Sequence, residues 1–308
     1  MKPARSSHSK ITELENILET LNLSKNYGRI TAVKDLSLEV GPGHVFGILG
    51  PNGSGKTTTL SIISGIIESN AGTYRWFGRE PRAGMRKNIG SLIEVPNFYP
   101  YLNLTRNLSI AARIKDKPLD DIERVLKMVN LWERRKSRFD TLSLGMKQRL
   151  ALSSVLLGDP DVLVLDEPAN GLDPEGIAEV REIILREREK QKTIILASHI
   201  LDEVEKVCTH VAVLKNGQSI ARGKVHELLA VDDPVIVSCP EPDKLKEEII
   251  RAGLSKSVEK NGNELLVVLK KGKKAKDINE FAFSKGILLD RLETRKTSLE
   301  SQFLELVK

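Results

Sequence analysis

The sequence predicts an α/β fold with a largely parallel β-sheet, a helical subdomain inserted into it, and a small α+β domain at the C-terminal end. Three observations support this prediction. Short Val, Ile and Leu runs alternate with helical segments, a mostly helical stretch interrupts that alternation, and a second series of strands and helices follows a proline-containing segment. The aromatic content of 4% also favours helices and buried parallel strands over an aromatic-rich β-barrel.

The predicted sheet strands are short apolar runs with turn residues on both sides. They cover residues 33–40, 45–49, 162–165, 194–197 and 211–214, and the helices cover residues 56–65, 119–129, 146–157 and 174–188. Because strands and helices alternate, we expect a mostly parallel sheet, largely buried on both faces, with helices packed against it. This domain is expected to span residues 17–230, after an N-terminal extension of residues 1–16, with its helical subdomain at about 96–159.

The C-terminal domain is expected to span residues 231–308. It opens with VDDPVIVSCPEPDK, whose three prolines and several acids are typical of a linker that leads into a strand. The order that follows is strand, helix, two strands, helix and strand, which is a ferredoxin-like α+β pattern. These segments lie at residues 235–239, 244–252, around 258, 265–270, 275–284 and 287–292, and an apolar-periodic tail at 298–308 closes the domain.

The chain is basic, with a net charge of +6 and a pI near 9.1. Nucleotide, nucleic acid and anionic lipid are all partners that such a charge can attract. Much of the excess is local, in KKGKKAK at residues 270–276. A solvated turn explains this cluster, and contact with a membrane surface is the alternative.

The cysteine content and the N-terminal sequence predict a cytoplasmic protein. Cys208 and Cys239 lie far apart and have no His or Cys at metal-ligand spacing, so the sequence favours reduced core thiols over a disulfide framework or a zinc site. The N-terminal MKPARSSHSK is followed by charged residues and so differs from a signal peptide. No run approaches 18 apolar residues. If the protein works at a membrane, we expect another chain to cross it.

A glycine-rich segment, GPNGSGKT at residues 50–57, follows one predicted strand and opens a predicted helix. It fits the pattern of a phosphate-binding loop (Walker A motif), in which glycines let successive N–H groups point at phosphate oxygens and the helix N-terminus adds its positive end. Lys56 can bridge the β- and γ-phosphates, and the Thr57 hydroxyl can coordinate Mg²⁺. The nucleotide-binding residues expected here are Gly50, Pro51, Asn52, Gly53, Ser54, Gly55, Lys56, Thr57 and Thr58.

Two carboxylates follow the apolar run at 162–165, in the segment VLVLDEP, which fits a Walker B motif. Asp166 and Glu167 therefore emerge at the carboxyl end of a strand, where open α/β sheets bind ligands. Adjacent residues on an extended chain point in opposite directions, so we expect the two to act differently. Asp166 is the expected Mg²⁺ ligand, and Glu167 is the expected catalytic base, which polarises the attacking water.

The segment LSLGMKQR at residues 142–149 opens a further predicted helix. Together with the two motifs above, it makes the sequence resemble the nucleotide-binding subunits of ABC transporters over about residues 21–224. The resemblance implies that two chains sandwich two ATP molecules, and that Ser143 and Gly145 contact the nucleotide held by the partner. A serine here is also an ordinary helix cap, and the helix directs its positive end at an anion. Leu144 stands where a glycine is commoner, a change that we expect the site to tolerate.

Further motifs of the family occur in the same order along this chain. Tyr27 resembles the aromatic residue that stacks on adenine, and Asp173, in NGLDP, resembles the loop that links the two nucleotide sites. His199 resembles the histidine that contacts the γ-phosphate and orients the water. A lone histidine at such a position is more often structural, and the order of the motifs along the chain favours the functional role for His199.

Glu94 stands where the family usually has a glutamine, within IGSLIEVPNFYPYLNLTRNL. In this position it resembles the lantibiotic-immunity and bacitracin-resistance ATPases of the ABC-2-type exporter group. The resemblance implies a catalytic and Mg²⁺-binding role for Glu94. The family also contacts the coupling helix of the membrane subunit through this region, so residues 95–101 are either docking surface or ordinary subdomain core.

The resemblance predicts an ATPase subunit that powers an exporter through a separate membrane permease. An alternative is a soluble ABC ATPase of DNA repair, chromosome structure or translation, although the chain has one phosphate loop and no sustained heptads. A kinase-like P-loop enzyme is a third hypothesis, which LSLGMKQR disfavours. We expect ATP and Mg²⁺ as cofactors, a permease and a second ATPase subunit (the same chain or a paralogue) as partners, and no nucleic acid. The expected location is cytoplasmic, peripheral on the inner face of the membrane through the permease.

Overall fold

The computed structural model of the protein describes residues 15–82, 84, 88–94, 98–229, 234–270 and 272–295. The chain forms two compact units, residues 1–225 and 226–308. The division lies a few residues before the boundary expected from the sequence, at the start of the short helix α7 (Val225–Leu229).

In chain order the first unit contains β1 (Leu18–Tyr27), β2 (Ile30–Val40), β3 (Val45–Leu49), α1 (Lys56–Ile63), β4 (Ala71–Trp76), β5 (Ile89–Leu92), α2 (Leu104–Ile114), α3 (Asp121–Met128), α4 (Leu144–Leu156), β6 (Val162–Asp166), α5 (Pro174–Glu189), β7 (Thr193–Ser198), α6 (Leu201–Val207), β8 (His210–Lys215) and β9 (Gln218–Lys224). Six of these strands form one sheet in the order β5-β6-β7-β3-β8-β9. Pairing is parallel from β5 to β8, and β9 pairs antiparallel with β8. Strands β3, β6 and β7 are buried along their whole length, as their continuous apolar sequences predict.

The predicted strand 33–40 lies outside the parallel sheet. It is part of β2, which pairs antiparallel with β1, and β1 pairs antiparallel with β4 in a separate three-stranded sheet. Along β2, Lys34 and Glu39 are exposed whereas Leu36 and Leu38 are buried. The expectation that this strand joins the parallel sheet and is buried on both faces was wrong, because its apolar and charged residues alternate as in a half-solvated antiparallel strand.

The described chain between β5 and β6 consists mostly of helices joined by turns. Helices α2, α3 and α4 pack against one another, and two short 3₁₀ helices lie at Trp132–Arg134 and Phe139–Thr141. Helix α4 begins at Leu144, two residues before the predicted start, because the Ser143 side chain accepts a hydrogen bond from the Met146 N–H and caps the helix.

The second unit contains β10 (Val235–Ser238), α8 (Pro242–Arg251), β11 (Ser255–Asn261), β12 (Glu264–Leu269), α9 (Ala275–Ser284) and β13 (Arg291–Thr294). The elements follow one another along the chain in the predicted order, which confirms that prediction. The four strands form an antiparallel sheet in the order β11-β12-β10-β13. The last strand begins later than predicted, since Ile287 donates its N–H to Ala282 O and belongs to the turn that ends α9. The predicted tail at 298–308 lies outside the described residues.

No helix in the described ranges is both long enough and apolar enough to cross a bilayer.

Candidate functional site

The phosphate-loop sequence lies between the end of β3 and the start of α1, as predicted. Gly53 and Gly55 have φ angles of 79° and 100°, a region that L-residues rarely adopt. A Cβ atom at Gly55 would lie 2.3 Å from Ala32 O, so this position also lacks room for a side chain. The glycines therefore give the loop a shape in which backbone N–H groups can surround an anion.

Lys56 is buried at the base of this loop. Its Nζ donates to Gly50 O at 2.9 Å and to Pro51 O at 3.4 Å, and it lies 3.5 Å from Glu167 Oε1. Ser54 is also buried, and its hydroxyl has no hydrogen-bond partner in the described part of the chain. A cation and an unsatisfied hydroxyl at one loop are donors suited to phosphate oxygens.

Asp166 is the last residue of β6, and its carboxylate accepts a hydrogen bond from the Thr57 hydroxyl. Burial raises the pKa of Asp166; Thr57 and Lys56 oppose the shift, while Glu167 and Glu94 add to it. Its Oδ1 is buried and has no hydrogen-bond partner among the described residues. These oxygens fit Mg²⁺, which binds through few protein oxygens plus substrate phosphates and would offset the cost of burying the carboxylate. Among the described residues, no group of three or more His, Cys, Asp or Glu side chains could hold a metal ion.

Glu167 follows Asp166 in a turn and not in an extended chain. Its φ angle is 45°, and its N–H donates to Ala197 O at 3.0 Å. The argument from strand alternation was wrong, because β6 ends at Asp166 and Glu167 lies in the turn that follows. The two carboxylates nevertheless have different partners: Asp166 bonds to Thr57, whereas Glu167 contacts Lys56 and His199.

His199 lies beside Glu167, at the end of β7. Its Nδ1 is 2.8 Å from Glu167 Oε2, and its backbone N–H donates to the same oxygen at 3.3 Å. An ionised carboxylate only accepts hydrogen bonds, so Nδ1 carries the proton in this contact. The opposite ring nitrogen is then an acceptor in the neutral imidazole, and a donor when the ring is protonated.

One open cavity of about 470 Å³ brings most of the predicted nucleotide-binding residues together. It is lined by Tyr27, Ile30, Ala32, Asn52, Gly53, Gly55, Lys56, Thr57, Thr58, Glu167, Asn170 and His199. Sequence reasoning missed Ile30, Ala32 and Asn170. Ile30 is 71% exposed although apolar, and it faces the same cavity as Tyr27 because the two residues flank the turn between β1 and β2. This hairpin placement is the signal that could have identified it.

Ser143, Gly145 and Asp173 lie apart from that cavity. They line a second open cavity of about 390 Å³, formed by the start of α4 and the start of α5. Asp173 caps α5, since its side chain accepts the Gly176 N–H at 2.9 Å. Glu94 lines neither cavity; its φ angle is 59°, and its charge acts on the Asp166 carboxylate.

Comparison with known proteins agrees with this arrangement. The sequence model of the ABC transporter family matches residues 33–170. The chain is 30% identical to the bacitracin transport ATP-binding protein BcrA of Enterococcus faecalis over 96% of this chain and 97% of that protein. It is 38% identical to the lantibiotic transport ATP-binding protein SrtF of Streptococcus pyogenes over 66% of this chain and 89% of that protein.

A solved structure has the same fold. It is the cbiO1 subunit of an ABC transporter complex from Clostridium perfringens, 28% identical, and the alignment covers 77% of this chain and 96% of that chain with a TM-score of 0.62. These matches extend the resemblance from single motifs to the whole first unit and, for the bacitracin relative, to nearly the full length. They favour transport over the soluble and kinase-like alternatives. The chain therefore belongs to the ABC transporter family, as one of its ATP-binding and ATP-hydrolysing proteins.

Proposed function

We propose that this chain is the ATPase of an exporter and that it hydrolyses MgATP between its own phosphate loop and the Ser143–Gly145 segment of a second ATPase subunit. One observation carries the proposal. Lys56, Glu167 and His199 share one open cavity, whereas Ser143, Gly145 and Asp173 share another. Each set is half of a site, and a second chain can supply the missing half to both.

In the nucleotide cavity, Lys56 and the loop N–H groups bind the phosphates, and Tyr27 provides a half-exposed ring for the base. Thr57 and Asp166 are the proposed Mg²⁺ ligands, with Glu94 as a further candidate. When bound, Mg²⁺ would neutralise charge on the phosphate oxygens.

Glu167 is the proposed base that accepts a proton from water. Its carboxylate lies between Lys56 and His199, so it is held near the position of the terminal phosphate. His199 holds one carboxylate oxygen through its Nδ1 and keeps its other ring nitrogen free for the phosphate or the water.

The second ATPase subunit, a further copy or a paralogue, completes each site. The Ser143 cap places a hydroxyl and the positive end of α4 at the surface, where they suit an anionic γ-phosphate. Asp173, at the start of α5, lies on the same surface.

A separate permease is the proposed membrane partner, at the cytoplasmic face. Support comes from the transport functions of the named relatives and from exposed aromatic residues in the helical subdomain. Tyr99 and Tyr101 are 46% and 63% exposed, with ring centroids 5.9 Å apart. They belong to the predicted docking segment, whose residues 95–97 lie outside the described part. Aromatic residues of this kind are enriched at protein interfaces.

The test measures assembly by light scattering on Glu167→Gln, in which slow hydrolysis preserves bound ATP. With MgATP at tens of micromolar protein the variant should dimerise, and it should be monomeric with chelator instead of Mg²⁺. The matched control adds Ser143→Ala, which leaves the phosphate loop intact and should weaken the dimer. A chain that stays monomeric under all conditions rules out the homodimeric sandwich and leaves a paralogue as partner, which copurification with the permease would identify.

A further inference from the structure

Helix α4, which Ser143 caps, is hydrogen-bonded to the turn that contains Glu167. Gln148, on α4, donates its Nε2–H to Pro168 O at 2.8 Å. Pro168 directly follows Glu167 and is buried. One side chain therefore connects the helix capped by Ser143 to the backbone of the catalytic turn.

The turn that accepts this bond is held on both sides. Glu167 has a positive φ angle, and its N–H donates to Ala197 O at 3.0 Å. The Asn170 N–H donates to Glu167 O at 3.1 Å. The carbonyl of Pro168 directly follows this bonded residue in the chain. A shift of the Gln148 side chain would therefore act on the backbone next to Glu167.

Two leucines lie over glycines of the opposite segment. A Cβ atom at Gly171 would lie 3.4 Å from Leu144 Cδ2, and one at Gly145 would lie 4.0 Å from Leu172 Cδ2. Each leucine thus packs over the glycine of the other segment. Leu144, the residue that departs from the commoner glycine, contributes one half of this packing.

An ion pair continues the contact along the two helices. Arg149 Nη1, on α4, lies 3.0 Å from Glu179 Oε1, on α5, and it also donates to Val129 O at 3.2 Å. Side chains of Gln148, Arg149 and Leu144 therefore hold the start of α4 to the segment from Pro168 to Glu179.

We propose that Gln148 is a positioning residue that couples the Ser143–Gly145 surface to Glu167 within one chain. The inference rests on the proposed function, in which that surface meets the nucleotide of a second subunit. Engagement of the partner's nucleotide shifts the start of α4, and the Gln148 bond to Pro168 O passes the shift to the turn of Glu167. Coupling is reciprocal for binding, so the state of Glu167 also sets the affinity of the surface for the partner.

The experiment measures ATP hydrolysis against ATP concentration for the purified full-length chain and its Gln148→Ala and Gln148→Glu variants. The glutamate has the shape of glutamine, but as an ionised carboxylate it cannot donate to Pro168 O. Both variants should lower kcat by about tenfold and bring the Hill coefficient close to 1, as expected for loss of a coupling of ordinary size. Affinity of a fluorescent ATP analogue for the monomer should change by less than about twofold, because the phosphate loop is untouched.

A double-mutant cycle with Ser143→Ala separates coupling from general weakening. If Gln148 transmits the engagement of Ser143, Gln148→Ala should cost less than about twofold in kcat once Ser143 is already alanine. Multiplicative effects of the two substitutions would overturn the proposal, because each residue would then act alone.

The matched control is Lys115→Met, which also removes a side-chain bond to a backbone carbonyl, here from Lys115 Nζ to Ser154 O at 2.7 Å on the far end of α4. It should retain the wild-type Hill coefficient. If the wild type is cooperative and the Gln148 variants keep its kcat and Hill coefficient, the coupling through Gln148 is contradicted and the proposed function stands. A wild type that neither dimerises nor hydrolyses cooperatively rules out the homodimeric sandwich, and with it the coupling between two copies of this chain.

Discussion

The Nδ1 atom of His199 lies 2.8 Å from Oε2 of Glu167, and the other oxygen of that carboxylate lies 3.5 Å from the Lys56 ammonium. Glu167 is thus held between a ring donor and a cation at the mouth of the phosphate loop. This arrangement fixes the carboxylate in space and leaves the second ring nitrogen of His199 available to substrate.

Replacing Glu167 by glutamine tests the proposed base. The amide keeps the size of the side chain but cannot accept a proton from water, so kcat should fall by about 10²-fold or more while ATP still binds. Phosphate release and binding of a fluorescent nucleotide are the two measurements. The control is Glu182→Gln, an exposed glutamate on α5 that lines neither of the two cavities. Phosphate release near the wild-type rate in Glu167→Gln would mean that another group is the base.

Glu94 is predicted to affect magnesium dependence and coupling to transport. As an ionised group it adds negative charge near Asp166 and offers acceptors only, whereas glutamine offers a neutral carbonyl and a donor. Glu94→Gln should therefore keep the fold and much of the ATPase activity, shift the magnesium titration, and weaken export more than hydrolysis.

Purified ATPase rates across a magnesium titration and cargo export in cells measure these two effects. Glu94→Ala and the exposed Glu80→Gln serve as the stronger variant and the control. If Glu94→Gln and Glu94→Ala leave both the magnesium curve and export unchanged, Glu94 is a surface residue without a coupling role.

A buried ion pair away from the nucleotide cavity is predicted to matter for stability. The Glu187 and Lys192 side chains are almost fully buried, with Oε2 and Nζ 2.6 Å apart, and Lys192 also contacts Asp159. Glu187→Ala leaves a buried ammonium with one counter-charge less, so unfolding free energy should fall by about 3 kcal/mol. Both tryptophans, Trp76 and Trp132, lie in the first unit, so urea denaturation followed by their fluorescence reports on that unit.

The control for this pair is Glu189→Ala, an exposed glutamate on the same helix, which should change the unfolding free energy by less than about 0.5 kcal/mol. Equal effects of the two substitutions would show that the buried pair contributes no more than a surface charge.

The lowered pKa of Lys115 predicts that the free energy of unfolding depends on pH in the alkaline range. Burial, and to a lesser degree Lys117, lowers the pKa of Lys115 from 10.5 to about 8. Between these pH values the unfolded chain binds a proton at Lys115 and the folded chain does not. The free energy of unfolding therefore rises with pH from about 8 to 10.5, and this gain is lost as the pH falls again to about 8.

The difference in unfolding free energy between wild type and Lys115→Met should therefore shift by about 3 kcal/mol in favour of the wild type between pH 7.5 and 10.5. Urea denaturation at a series of pH values measures it, and the comparison with the variant cancels the titration of other groups. A difference that stays constant over this range would show that Lys115 keeps its ordinary pKa when folded.

Sequence reasoning predicted that the phosphate-loop and Asp166–Glu167 motifs lie at one place in the fold, because each motif is contiguous and follows the end of a strand. GPNGSGKT follows β3 and the Asp166–Glu167 pair follows β6, and parallel strands bring both to the same sheet edge. The contribution of Ile30 was missed because an exposed isoleucine carries no pattern of its own until the β1–β2 hairpin places it beside Tyr27.

By itself the sequence determined the local features: which residues form the phosphate-loop motif, where buried strands run, and the order of elements in both units. These features depend on residue type and on short spacings, which the chain carries directly. Only the tertiary structure decided that β2 joins an antiparallel sheet, that Glu167 turns at a positive φ angle onto His199, and that Gln148 reaches Pro168 O. Each of these depends on contacts between segments distant in sequence, where packing and hydrogen bonding select one pairing among many that local patterns permit.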